Sequence, residues 1–160
     1  IYGVETLIDF NLKKLFFDKY RLDFNFFINY SFINSEYLES DEVGIEGKAV
    51  EFVPKHNLKS GFKLGYKNFA VNWQTSYLSS QFTDSSNAIE GNLSGVIGQI
   101  PSYLISDLST SIKFKKWKIE SGINNIFDEI YFTRRATGYP GPGIIPSPPR
   151  NLYLTIELKF

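Results

Sequence analysis

Residues 151–160, NLYLTIELKF, form a segment in which every second side chain is apolar. The apolar positions are Leu152, Leu154, Ile156, Leu158 and Phe160, and the residues between them are polar or amphipathic. Alternation with a period of two places one face of a strand against an apolar environment and the other against water. A soluble β-sandwich also provides an apolar environment, but a terminal aromatic residue is an unusual end for one. The pattern favours a strand of a transmembrane β-barrel.

The same alternation recurs in six segments upstream of this one. It predicts strands at residues 2–14, 21–37, 57–66, 69–80, 102–114 and 117–127, with 151–160 as the seventh. No segment has the period of an amphipathic helix. The sequence therefore predicts an all-β, antiparallel fold.

The connections between these strands alternate in length. Short turns are predicted at residues 17–20, 67–68 and 115–116, and long loops at 38–56, 81–101 and 128–150. Counted back from the last strand, the three turns fall at one end of the sheet and the three loops at the other. Outer-membrane barrels have short periplasmic turns and long extracellular loops, so the sorting indicates a membrane barrel.

Composition excludes several other classes. The chain has 17 basic and 17 acidic residues, and no basic stripe that would indicate a nucleic-acid partner. It has no cysteine, so disulfides and cysteine metal sites are excluded. No run of 18 apolar residues is present, which excludes a helical membrane protein. Aromatic residues make up 17% of the chain, as in barrels with aromatic girdles.

Seven strands do not make a closed bacterial barrel, since such barrels have an even number of strands and leave no edge in lipid. The chain also contains no methionine. We therefore expect it to be a fragment, with the missing strands in an N-terminal part of the same protein.

Several motifs carry a family resemblance when they are taken together. They are Gly3-Val-Glu5, Val53-Pro-Lys-His-Asn57, Gly122-Ile-Asn-Asn-Ile-Phe-Asp128, Tyr131-Phe132 and the closing strand from Arg150 to Phe160. In this order the sequence resembles the C-terminal part of a TonB-dependent outer-membrane receptor. The resemblance implies about seven strands of a 22-stranded barrel that an N-terminal plug occludes.

This resemblance also implies a function and partners. It implies an active transporter in the outer membrane of a Gram-negative-type bacterium, driven by a TonB-type inner-membrane complex and surrounded by outer-membrane lipid. It assigns Tyr153, Leu158 and Phe160 to a C-terminal strand that serves membrane assembly through the barrel-assembly machinery.

The last long loop indicates the cargo. Residues 131–146, YFTRRATGYPGPGIIP, resemble the last extracellular loop of receptors for ferric dicitrate. Arginine pairs carboxylates in a two-pronged geometry, so Arg134 and Arg135, with Tyr139, are the predicted ligand-binding residues for ferric citrate. In the alternative interpretation the two arginines pair with loop carboxylates such as Asp128 and Glu129.

Other functions stay open at this point. A receptor of the same family for another siderophore, cobalamin or a glycan is one alternative. A small non-transporting barrel or a soluble β-sandwich binding module is another.

The residues give no indication of catalysis. No nucleophile motif or phosphate-binding loop is present, and His56 is the only histidine. The acidic residues of 41–51 do not match an EF-hand. We expect no enzyme activity, no catalytic residue, no cofactor and no resident metal; iron would be cargo.

Overall fold

The computed structural model describes residues 1–13, 22–138 and 141–160, and these form nine strands. The strands are β1 (Tyr2–Asn11), β2 (Leu22–Asn34), β3 (His56–Tyr66), β4 (Phe69–Leu78), β5 (Tyr103–Phe114), β6 (Trp117–Asn124), β7 (Phe132–Ala136), β8 (Gly143–Pro146) and β9 (Asn151–Leu158). No helix in the described ranges is long and apolar enough to cross a membrane.

The predicted seven-stranded antiparallel sheet is confirmed. Its order is β1-β2-β3-β4-β5-β6-β9, and every neighbouring pair is antiparallel. The sheet does not close on itself, since β1 and β9 are its two edges. Because neighbouring strands are antiparallel, the three long connections lie at the same end of the sheet. They are the first loop (residues 35–55), the second loop (79–102) and the third loop (125–150).

The strand pairing keeps the apolar and polar residues on separate faces. One row across six strands joins apolar residues, in the order Phe26, Phe62, Trp73, Leu108, Ile123 and Leu152. The adjacent row on the other face joins Asn25, Lys63, Asn72, Ser109, Gly122 and Tyr153. The alternation read from the sequence is thus the alternation of an apolar face and a polar face.

The strand ends differ from the prediction where the chain leaves the sheet. The strand predicted to reach residue 127 ends at Asn124, because Asn125 adopts a φ of 53° and turns the chain. The two other strands that precede long loops also end two or three residues early, β2 at Asn34 and β4 at Leu78. The turns at 67–68 and 115–116 are confirmed, with Lys67 and Lys115 at φ of 52° and 53°. The turn predicted at 17–20 lies outside the described residues.

The largest difference is in the third loop, where the sequence predicted no strand. β7 and β8 pair there as a separate antiparallel hairpin.

Burial is concentrated in the long loops. Five described residues other than glycine are less than a tenth exposed. One of them, Ser106, lies in the main sheet. The others are Ser35, Ile100, Asn125 and Ala136, from all three loops. The sheet is a single layer, and its apolar side chains are open: Leu152 is 75% exposed. Among the described residues, buried side chains therefore lie mainly in the three long loops.

Candidate functional site at the long loops

The hairpin of the third loop carries both predicted ligand-binding arginines. In β7, Arg134 pairs with Ile145 and Arg135 pairs with Ile144. The pairing shifts between Phe132 and Arg134, which leaves Thr133 as an extra residue in a β-bulge. A bulge re-aims the side chains that follow it. Here it leaves Arg134 exposed, whereas Arg135 is partly buried.

Proline and glycine build this hairpin. Gly143 begins β8 with a φ of 132°, a conformation that L side chains rarely adopt. The proline-rich run that follows returns the chain to β9, and the Ser147 amide donates to the Tyr131 carbonyl at 3.0 Å. Nothing in the pattern of apolar residues of this loop indicated two strands.

Arg135 contacts the second loop. Its Nη1 donates to the Gly95 carbonyl at 2.9 Å and its Nη2 to the Gln99 carbonyl at 3.0 Å. The guanidinium carbon lies 5.2 Å from the centre of the Phe132 ring, in a cation–π contact. Its buried Nε has no hydrogen-bond partner among the described residues. Arg135 thus contacts main-chain oxygens, which carry no full negative charge, so these contacts do not neutralise its positive charge.

Arg134 is placed differently. It is exposed, and within residues 1–13, 22–138 and 141–160 neither it nor Arg135 forms an ion pair. The alternative pairing with acidic residues of the loop is not what the structure shows. Asp128 instead accepts from the Arg150 amide at 2.9 Å, and its other oxygen lies 3.7 Å from Arg150 Nη2. Tyr139, the third predicted ligand-binding residue, lies outside the described residues.

Asn125 fixes the base of the third loop. Its side chain is 3% exposed, donates from Nδ2 to the Glu129 carbonyl at 2.9 Å and accepts from the Glu129 amide at 2.9 Å. The Asn125 amide donates to Asp107 Oδ1 of β5 at 2.8 Å. The sequence motif that contains Asn125 is therefore a turn that joins the barrel wall to the loop. The motif Gly122-Ile-Asn-Asn-Ile-Phe-Asp128 contributes to the family resemblance, and asparagine tolerates the left-handed conformation better than most residues, but the sequence alone did not indicate this turn.

Asn87 joins the first and second loops, a role that the sequence does not indicate. Its Oδ1 accepts from the Ala49 amide at 2.7 Å and its Nδ2 donates to the Ala49 carbonyl at 2.9 Å, as a neighbouring strand would. The Phe52 amide donates to the Phe82 carbonyl at 2.9 Å. No local pattern could have revealed Asn87, because its partner is 38 residues away in the sequence.

Within the first loop, Tyr37 donates its phenol hydrogen to Glu51 Oε2 at 2.6 Å. This bond stabilises the carboxylate and holds the pKa of Glu51 below its ordinary value. The same bond raises the pKa of Tyr37 above its ordinary value. The pair closes the loop between residues 37 and 51.

The residues predicted to serve membrane assembly lie in and just beyond β9. Tyr153 is on the polar face opposite Gly122, and Leu158 is on the apolar face opposite Trp117. Phe160 follows the strand and is fully exposed. A Cβ atom at Gly122 would overlap with the Tyr153 ring, so the ring lies directly on the glycine backbone. Their role in assembly stays a prediction.

His56, the last residue of the loop predicted at 38–56, begins β3. Its Nδ1 lies 2.8 Å from the Tyr30 hydroxyl and its ring centre 5.4 Å from that of Phe32. In the part of the chain that the structure describes, no three histidine or acidic side chains are grouped to hold a metal ion.

Comparison with known proteins agrees with this architecture. A family model described as TonB dependent receptor-like, beta-barrel, matches residues 1–126. The ferric citrate transporter FecA in its unliganded form is 28% identical, with a TM-score of 0.84 over 99% of this chain and 24% of that chain.

Two further solved structures show the same fold at lower identity. The siderophore receptor PiuA from Acinetobacter baumannii is 20% identical, with a TM-score of 0.67 over 87% of this chain and 22% of its own. The copper transporter OprC is 15% identical, with a TM-score of 0.64 over 99% of this chain and 22% of its own. The chain thus spans about a quarter of the length of the transporter FecA, 24%. Because the family model covers most of the sequence, this chain belongs to the TonB-dependent receptor family and forms part of its β-barrel.

Proposed function

We propose that this chain is part of an outer-membrane active transporter that binds and imports ferric citrate. The observation that carries the proposal is the likeness to the ferric citrate transporter, at 28% identity and a TM-score of 0.84. The siderophore receptor and the copper transporter reach only 20% and 15% identity, with TM-scores of 0.67 and 0.64. The difference favours a ferric citrate cargo over the others.

The charge of the third loop supports an anionic cargo. Ferric citrate presents carboxylates, and Arg134 offers an exposed guanidinium without an acidic partner among the described residues. A guanidinium binds a carboxylate through two parallel hydrogen bonds. Arg135 adds a second positive charge nearby, since its partners are carbonyl oxygens. The third loop can therefore attract the chelate and orient one of its carboxylates.

The two faces of the sheet support a membrane location and a transport pathway. The apolar face fits outer-membrane lipid, and the polar face fits the inside of a plugged barrel. The protein would make no covalent change to its cargo. It would bind outside and release inward when a TonB-type inner-membrane complex moves the plug, which requires different affinities in the two states. Barrel-assembly machinery is the partner that we propose for the terminal strand.

Equilibrium binding to the full-length receptor tests the cargo. Titration with ferric citrate should saturate, and Arg134→Ala should weaken binding by about tenfold to a hundredfold, since a hydrogen bond to a charged group contributes about 1.5–3 kcal/mol. Arg134→Lys should recover part of the affinity, because it keeps the charge but loses the two-pronged geometry. Lys116→Ala is the matched control: it removes an exposed cation from a short turn at the other end of the sheet and should leave binding unchanged.

Two outcomes would contradict the proposal. A receptor that ignores ferric citrate but binds another siderophore, cobalamin or a glycan would keep the family and change the cargo. An affinity equal in the wild type and in Arg134→Ala would remove Arg134 from the ligand site.

A further inference from the structure

Of the two adjacent arginines of β7, Arg135 makes side-chain hydrogen bonds and a cation–π contact, whereas Arg134 is exposed and makes none with the described residues. We propose that they have separate roles: Arg134 contacts the ligand, and Arg135 is a positioning residue that holds the second and third loops together as one unit. This inference rests on the proposed function for the role of Arg134. The role of Arg135 rests on contacts within the protein and can be tested alone.

The β-bulge separates the two side chains. Without an extra residue, Arg134 would share a side of the hairpin with Phe132, because strand side chains alternate. The bulge at Thr133 resets the alternation, so it is Arg135 that lies over the Phe132 ring at 5.2 Å. Arg134 is left exposed on the opposite side. The hairpin therefore presents one arginine to solvent and one to its neighbouring loop.

The second loop contains a socket that fits the Arg135 side chain. The carbonyls of Gly95 and Gln99 converge on its two terminal nitrogens. Gly91 and Gly98 flank it, and a Cβ atom added at Gly98 would lie only 3.1 Å from Nη2. Small residues at both positions give the guanidinium the space that it occupies.

The socket is ordered by the second loop itself. Oδ1 of Asn92 accepts from the amides of Val96 and Ile97 at 3.0 and 3.2 Å, and the Asn92 carbonyl accepts from the Gly95 amide at 2.9 Å. Asn92 thus fixes the turn that presents the Gly95 carbonyl, one of the two acceptors of Arg135. The hydrogen bonds that hold this turn are all within the second loop and do not involve Arg135.

Close backbone packing between the two loops supports the same conclusion. A Cβ atom added at Gly95 would lie 3.1 Å from the Gly143 Cα atom in β8. The second loop therefore lies against both strands of the hairpin, through Arg135 on β7 and through Gly95 against β8. The position of Arg134 depends on this contact, because Arg134 is on the same short hairpin.

Hydrogen exchange in the full-length receptor tests the positioning role. The peptide 91–100 contains amides that donate within the socket or to residues beside it. Arg135→Ala should speed their exchange on the order of tenfold or more, because two charge-assisted hydrogen bonds are lost. Arg134→Ala should leave this exchange unchanged. Arg135→Lys should give intermediate protection, since one ammonium cannot match both carbonyls.

Ferric citrate binding to the same variants gives the second readout. Both alanine variants should bind more weakly, but only Arg135→Ala should combine weaker binding with loss of protection at 91–100. Unchanged protection in Arg135→Ala would overturn the positioning role, and weaker binding with full protection would make Arg135 a direct ligand contact. Should the wild type not bind ferric citrate at all, the proposed function fails, while the exchange of the unliganded variants still decides the role of Arg135.

Discussion

Replacing Asn125 with alanine should destabilise the full-length receptor by about 2–5 kcal/mol. The change removes two side-chain hydrogen bonds to the Glu129 main chain, and each contributes about 0.5–1.5 kcal/mol net. It also forces alanine into a φ of 53°, which costs roughly a further 1–2 kcal/mol for a residue with a Cβ atom and no local hydrogen bond. The lower end of the sum is favoured because Glu129 is itself exposed to water.

Two matched variants separate these contributions. Asn125→Gly loses the same hydrogen bonds but tolerates the left-handed backbone, so it should be about 1 kcal/mol less destabilised than the alanine variant. Asn124→Ala removes the adjacent asparagine, whose side chain makes one exposed hydrogen bond to Asn151 at 2.8 Å, and should cost about 0.5–1 kcal/mol. Denaturant unfolding of the receptor in lipid measures all three. Equal effects for Asn124→Ala and Asn125→Ala would refute the assignment of Asn125 as the structural residue of this turn.

Three further predictions concern the barrel wall and the first loop. Gly122→Ala should lower the free energy of unfolding of the receptor by about 1–3 kcal/mol, because the new methyl group overlaps with the Tyr153 ring. Denaturant unfolding measures this loss, and the additional change Tyr153→Ala should reduce it. Leu154→Lys on the apolar face should lower the free energy of unfolding by about 2–4 kcal/mol, whereas the Thr155→Lys variant, changed on the polar face, should fold normally. Equal effects of the two changes on unfolding would contradict the assignment of the faces. The hydrogen bond from Tyr37 lowers the pKa of the Glu51 carboxyl in the folded loop. The stability that this bond contributes is therefore fully present above the pKa of a free glutamate, about 4.3, and is lost as the pH falls through the lower pKa of the folded loop. Exchange of first-loop amides, corrected for the intrinsic rate, should therefore stay constant from pH 7 to about pH 5 and increase only in stronger acid; an increase near neutral pH would contradict this.

The barrel wall could be predicted from the sequence because each strand reports its own environment. A strand with lipid on one side and a polar interior on the other has to alternate, and the residues from Leu152 to Leu158 do so without interruption. The two-residue turns at 67–68 and 115–116 then fix the pairing of neighbouring strands. Local sequence and fold agree here, so all seven sheet strands were found with small errors at their ends.

The loops could not be predicted in the same way because their contacts join distant residues. Arg135 bonds to main-chain oxygens 36 and 40 residues away, and a carbonyl group leaves no trace in the sequence. The β7–β8 hairpin is stabilised by its neighbours and shows no alternation of its own. The ligand-binding prediction consequently named Arg134 and Arg135 as equivalents, whereas their surroundings in the structure differ.

The most direct test of the proposed transport is uptake of radioactive iron by cells that carry the gene for the full-length receptor. Iron supplied as ferric citrate should accumulate in these cells, should fail to accumulate after deletion of the gene, and should stop when the inner-membrane proton gradient is collapsed. Arg134→Ala should reduce uptake at low chelate concentration, and higher concentration should restore it. Uptake that is the same with and without the gene would contradict the assignment of ferric citrate as the cargo.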